Sequence, residues 1–113
     1  MLHQMKLQPE YFNYVKNGTK RIELRLNDEK RRIIHLYDEI EFLKEPNLDE
    51  SIKVKVCALL NYPSFSDLFN DFDISVFADT SISKEDLLQE LGKYYTIQNQ
   101  EKYGVLGIKF EKI

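Results

Sequence analysis

One cysteine, two histidines and four glycines are all that this 113-residue chain offers to chemistries that need such residues in numbers. With Cys57 alone there is no disulfide framework and no cysteine metal cluster. Its place in an apolar alternating run marks it as a buried structural thiol. His3 and His35 lie far apart in sequence with no partners at zinc-like spacing, so both read as structural and no metal is expected. There is no glycine-rich loop to cradle a phosphate and no nucleophile elbow, and nothing in the order of residues favours a Ser-His-Asp or Cys-His arrangement. No cofactor is expected. No apolar run approaches the roughly 18 residues of a membrane span, and the opening M-L-H-Q-M-K-L is too short and too polar for a signal peptide. These absences point to a cytoplasmic protein without a membrane partner, and they leave its oligomeric state open.

What is present is an ordinary globular composition, 42% hydrophobic and 31% charged, long enough for one domain over residues 1–113. Charge is distributed unevenly. Lys16, Lys20, Arg21, Arg25, Lys30, Arg31 and Arg32 face only Glu23, Asp28 and Glu29 in the 17 residues from Lys16 to Arg32, a net +4 in a chain whose formal charge is −3. The other 96 residues therefore carry −7. A basic patch on an acidic body suits an anionic ligand held at one place and argues against nonspecific coating of polyanions.

Periodicity predicts one or two helical turns over Pro9–Asn17, ended by the Asn17-Gly18 pair, and then a strand over Arg21–Leu26. In that strand Arg21, Glu23 and Arg25 would form a wet face, and Ile22, Leu24 and Leu26 the core face. Asp38–Leu43 and Ile52–Leu60 read as a hairpin around Glu45–Glu50, with Ile52, Val54, Val56 and Ala58 on one face. Ser64 or Ser66 can cap a short aromatic helix carrying Phe65, Leu68, Phe69 and Phe72, and Ser83 a longer one ending near Gly92. Leu106, Ile108 and Phe110 mark a closing strand whose glycines suit a bend in a barrel wall. Five or six strands with short helices between them suggest an α+β, mainly β, chain forming a small curved sheet or barrel.

Three groups of residues can carry chemistry. In Gly18-x-Lys20-x-x-Glu23-x-Arg25, Arg25 offers a rigid fork, Lys20 a point charge and Glu23 an acceptor that orients either or reads an exocyclic amine. Strand parity separates Lys20 from the other two unless it sits in the turn before the ladder, and a solvated Glu23–Arg25 pair is the plain alternative. Arg31 and Arg32, in the arm Asn27–Arg32, can neutralise phosphates, or form a solvated charged turn. Tyr62, Phe65, Tyr94, Tyr95 and Tyr103 stand near element ends, where a ring can stack on a base or pack in the core.

The runs G-T-K-R-I-E-L-R, K-R-R-I-I, D-E-I-E-F and Y-G-V-L-G-I resemble the ASCH domain family of the PUA-like superfamily. The resemblance implies a PUA-like β-barrel with flanking helices and a cleft beside Gly18, Lys20, Glu23 and Arg25 that takes RNA or a nucleotide-like small molecule. The family also contains amidohydrolases acting on acetylated cytidine, with a lysine corresponding to Lys20 and a hydroxyl residue three places on. Here that place is Glu23, and a neighbouring carboxylate keeps a lysine charged, which argues for binding over that chemistry. Asp71 and Asp73 are positional candidates for the acidic partner. The resemblance admits RNA cleavage as well, with Lys20 and Arg25 stabilising the phosphate and Glu23 as base.

Overall fold

The computed structural model describes residues 1–79 and 81–113. Five strands, β1 (Leu2–Leu7), β2 (Ile22–Leu26), β3 (Glu39–Lys44), β4 (Ser51–Tyr62) and β5 (Val105–Lys112), form one mixed sheet in the order β1-β3-β4-β5-β2. Only β1 and β3 run parallel. The sheet curls into a half-barrel, so the α+β, mainly β, expectation holds. β1 and β2 are its two unclosed margins.

The helix α1 (Pro9–Lys16) starts on a proline at its first turn and stops at Asn17, after which Gly18 takes φ +84°. Phe12 and Val15 point from it into a core shared with Met5, Phe42, Val56, Ile108 and Phe110, so α1 plugs the inside of the curl. A second core covers the other face of β2, where Ile22, Leu24 and Leu26 meet α3 (Phe65–Phe69), Phe77 and Leu87 of α4 (Lys84–Gly92). Ser64 and Ser83 cap these two helices by accepting from the N–H of Asp67 and Asp86. One-turn α2 (Glu29–Arg32) and α5 (Ile97–Tyr103) complete the chain, with a 3₁₀ turn at Ile74–Val76.

Several expectations are corrected. β2 has no wet face, because its odd-numbered side chains turn into the curl and Glu23 is 5% exposed. Cys57 is only partly buried, at the register shift between Val56 and Ala58 where one extra residue breaks the alternation of β4. Of the two glycines near the last strand, Gly104, at φ +73°, ends α5, and Gly107 permits close packing. A Cβ on Gly107 would stand 3.0 Å from Leu68 Cδ1 and 3.3 Å from Ile22 Cγ2. Gly107→Val is therefore expected to cost about 1–3 kcal/mol by overpacking, read as a lower urea midpoint at unchanged m-value. An unchanged midpoint would show that the β2–α3 contact yields freely.

Candidate functional site

Lys20 is placed by the turn before β2. Asn17 Oδ1 accepts from Thr19 N–H at 2.9 Å, and Lys20 N–H reaches Tyr14 O at 2.9 Å, leaving the residue outside the ladder. The parity objection is thereby removed, and its ammonium turns toward the strand. Lys20 is 3% exposed, with Nζ 3.2 Å from Glu23 Oε1, 3.4 Å from Phe77 O and 5.6 Å from the centre of the Tyr11 ring. Glu23 Oε2 accepts from Arg25 Nε at 3.1 Å and Nη2 at 2.8 Å, and Oε1 takes Leu24 N–H at 3.0 Å. Arg25 Nη2 also donates to Lys6 O at 3.1 Å, crossing from β2 to the opposite margin β1.

This is a buried ion triad, not a solvated pair. Burial would raise the Glu23 carboxyl, but the Arg25 guanidinium, the Lys20 ammonium and Leu24 N–H outweigh it and hold it at about 2. For Lys20 the balance goes the other way: burial pushes the ammonium below its ordinary value despite Glu23, and Arg25 adds to the push. The neighbouring carboxylate thus fails to keep this lysine at its usual value, because the desolvation that sequence could not reveal is larger.

Donor accounting defines what the site can bind. Glu23 has its acceptor sites engaged by four N–H contacts, so it orients the cations and is not left to read a base. Among the described residues Lys20 directs its ammonium to two oxygens and has a third N–H over, while both N–H groups on Arg25 Nη1 take neither a carboxylate nor a carbonyl. The Tyr95 hydroxyl stands beside that guanidinium. The floor therefore offers donors and asks for acceptors.

Above it opens a cleft of about 170 Å³, walled by Tyr11, Phe77, Leu87, Leu91, Tyr94 and Tyr95. That is below the roughly 300 Å³ at which pockets for drug-sized ligands begin, and matches a single ring system. Gln8 Nε2 donates to Tyr94 Oη at 2.8 Å across the mouth. A larger hollow of about 500 Å³ lies behind Tyr95, between Pro63, Leu88, Ile97 and Gln100, without a convergent cation.

The residues singled out in the sequence are thus partly brought together. Lys20, Glu23 and Arg25 converge, and Gly18 shapes the turn that delivers them without lining the cleft. Arg31 is half-buried and Arg32 is exposed and gives its Nε to Asn27 O at 2.8 Å, and neither is among the residues lining the cleft. Of the five aromatics, Tyr94 and Tyr95 line the cleft; Phe65 is core, Tyr103 packs against that core, and Tyr62 donates to Asp71. Asp71 is thus occupied and Asp73 caps the 3₁₀ turn by accepting from Ser75 N–H, so neither is an acidic partner at the cleft. Tyr11 was missed; its place in the helix about two turns before Gly18 was the available signal. His3 and His35 both approach Asp38, His3 Nε2 at 2.8 Å, in a structural cluster away from the cleft. Among the described residues no group of histidine, cysteine, aspartate or glutamate is arranged to hold a metal ion, and no helix is long and apolar enough to cross a membrane.

Comparison with known proteins adds a family. The model of the ASCH domain matches residues 5–113. The crystal structure of hypothetical protein PH0355 superimposes with a TM-score of 0.87 at 35% identity, covering 100% of both chains. The solution structure of protein PF0455 from Pyrococcus furiosus does so at 0.79 and 33%, covering 100% of this chain and 98% of that one. An S128A mutant of ZmASCH from Zymomonas mobilis reaches 0.70 at 14% identity over 97% of this chain and 67% of that one, a likeness of fold alone. No curated protein matches the chain.

Proposed function

Since the chain belongs to the ASCH domain family, a PUA-like fold family consistent with RNA binding, we propose that its cleft receives one unstacked base of RNA, or a nucleotide-like small molecule. The observation that carries this reading is the donor-only floor: Lys20 and Arg25, held in place by Glu23, beneath the rings of Tyr11, Tyr94 and Tyr95. Aromatic walls suit a flat heterocycle, and unused N–H groups suit its carbonyl or ring-nitrogen acceptors. A hollow of about 170 Å³ takes a single base, so a longer RNA would enter by one splayed nucleotide.

A charge-assisted hydrogen bond contributes about 1.5–3 kcal/mol, or roughly tenfold or more in affinity. Lys20→Ala and Arg25→Ala are accordingly expected to weaken binding of a short single-stranded RNA by at least that factor in isothermal titration calorimetry, with parent affinity falling as salt is added. Circular dichroism melts at the assay temperature establish that each variant is folded. Variants that are folded and bind RNA as tightly as the parent would remove the cleft from the reading.

One observation favours a hydrolase acting on a modified nucleoside or on RNA: burial drives Lys20 toward its neutral, nucleophilic form. Glu23 at the place of the expected hydroxyl residue speaks against it. The enzyme reading requires turnover of acetylated cytidine or a short RNA that is lost in folded Lys20→Ala. Absence of turnover across a nucleoside panel would leave binding alone.

A further inference from the structure

Glu23 serves the main chain of β2 as well as the two cations. Phe110 N–H donates to Arg21 O and Asn27 N–H to Gly104 O, both at 3.0 Å, which sets the hydrogen-bonding phase of the β2–β5 ladder. Glu23 and Arg25 therefore bond to β5, and Leu24 between them turns its N–H and C=O toward the open margin of the sheet. The N–H finds Glu23 Oε1 at 3.0 Å, but among the described residues the carbonyl accepts nothing.

That carbonyl belongs to a residue that is 5% exposed and lines the cleft. A main-chain acceptor shut away from bulk water calls for a donor. The triad does not supply one: Arg25 Nη2 bonds Lys6 O at 3.1 Å and Lys20 Nζ bonds Phe77 O at 3.4 Å, and neither cation is bonded to Leu24 O. Its position follows from Glu23. Lys20 Nζ and Leu24 N–H both close on Oε1, at 3.2 and 3.0 Å, while Arg25 closes on Oε2. The Leu24 carbonyl comes after its own N–H along this margin and before Arg25, so an acceptor stands between two donors.

Resting on the base-binding reading of the cleft, we infer that the ring it selects is uracil, whose two carbonyls meet Lys20 and Arg25 while the ring N–H between them donates to Leu24 O. Uracil alone among the common pyrimidines of RNA carries the sequence acceptor, donor, acceptor along one edge. Turning the ring over leaves that pattern unchanged. Cytosine in either pose sets a ring-nitrogen lone pair against the carbonyl oxygen and an amine against a cation, leaving polar groups of the site unpaired. The two bases are nearly equal in size, so the volume of the cleft does not separate them. Glu45 and Glu90, at the rim, are the acceptors that would reward an amine instead.

Calorimetric titration of uridine and cytidine into the parent, and into folded Lys20→Ala and Arg25→Ala, reads the selection. Uridine should bind the parent roughly tenfold or more tightly than cytidine, the discrimination expected of one buried hydrogen bond replaced by an unpaired acceptor. Carbonyl-13C leucine combined with 15N-arginine labels Leu24 uniquely, because Leu24-Arg25 is the only Leu-Arg step in the chain. In that sample the Leu24 carbonyl resonance should move downfield on saturation with uridine, as a carbonyl does when it accepts a hydrogen bond. A resonance that stays in place overturns the assignment of Leu24 O. Equal affinities, or a preference for cytidine, overturn uracil selection; if both nucleosides are weakened in the two variants, the base reading survives that result. If neither nucleoside binds the parent, the base reading falls and uracil selection with it.

Discussion

Glu23→Ala should destabilise the protein by about 3–5 kcal/mol, the cost of removing one partner from a buried charge cluster. The loss has three sources. Lys20 and Arg25 would be left as like charges in a corner where Lys20 is only 3% exposed, Leu24 N–H would lose its acceptor, and the Arg25 fork would lose its two bonds to Glu23 Oε2. Glu23→Gln retains an oxygen for Leu24 N–H but not the charge, so it should recover only part of the deficit. Urea unfolding followed by far-ultraviolet circular dichroism reads both values. A deficit below about 1 kcal/mol for Glu23→Ala would mean that water screens the triad as it does a surface pair.

Acid should remove the same stabilisation in the parent. Glu23 is held at about 2 in the folded protein against an ordinary value of 4.5. A folded carboxyl held below its unfolded value binds its proton less readily than the unfolded chain does. Its contribution is therefore complete above about pH 4.5 and is lost as the pH falls toward 2. At about 1.4 kcal/mol per unit the loss amounts to about 3 kcal/mol. Asp38, Glu50 and Asp73 are also lowered, so the parent curve alone does not isolate Glu23. The difference between parent and Glu23→Gln does, and it should shrink by about 3 kcal/mol between pH 5 and pH 2. A gap that stays constant with pH would show that Glu23 titrates alike in both states.

What sequence revealed here depended on whether the signal was local. The Asn17-Gly18 stop, the Ser83 cap and the alternation ending at Phe110 are carried by neighbouring residues, and each element formed where it was read. β1 escaped because L-H-Q-M-K-L has no clean alternation, and its parallel partner β3 begins more than thirty residues later. α5 escaped because Q-N-Q-E-K carries no apolar stripe; only Thr96, which accepts from Asn99 N–H, and Gly104 mark its ends. The site was half legible. Spacing brought Lys20, Glu23 and Arg25 into one frame, and the second core lies on the Ile22, Leu24 and Leu26 face as expected, but a flat sheet with a wet opposite face was assumed. The curl of the sheet encloses that opposite face, and the burial of the triad and the lowered lysine follow from it.

The contact from Arg25 to Lys6 O gives position 25 a double obligation. One side chain laces together the two loose hems of the sheet and turns its remaining N–H groups to the cleft. An engineer who reshapes the cleft at this residue therefore also unpicks the seam between β1 and β2.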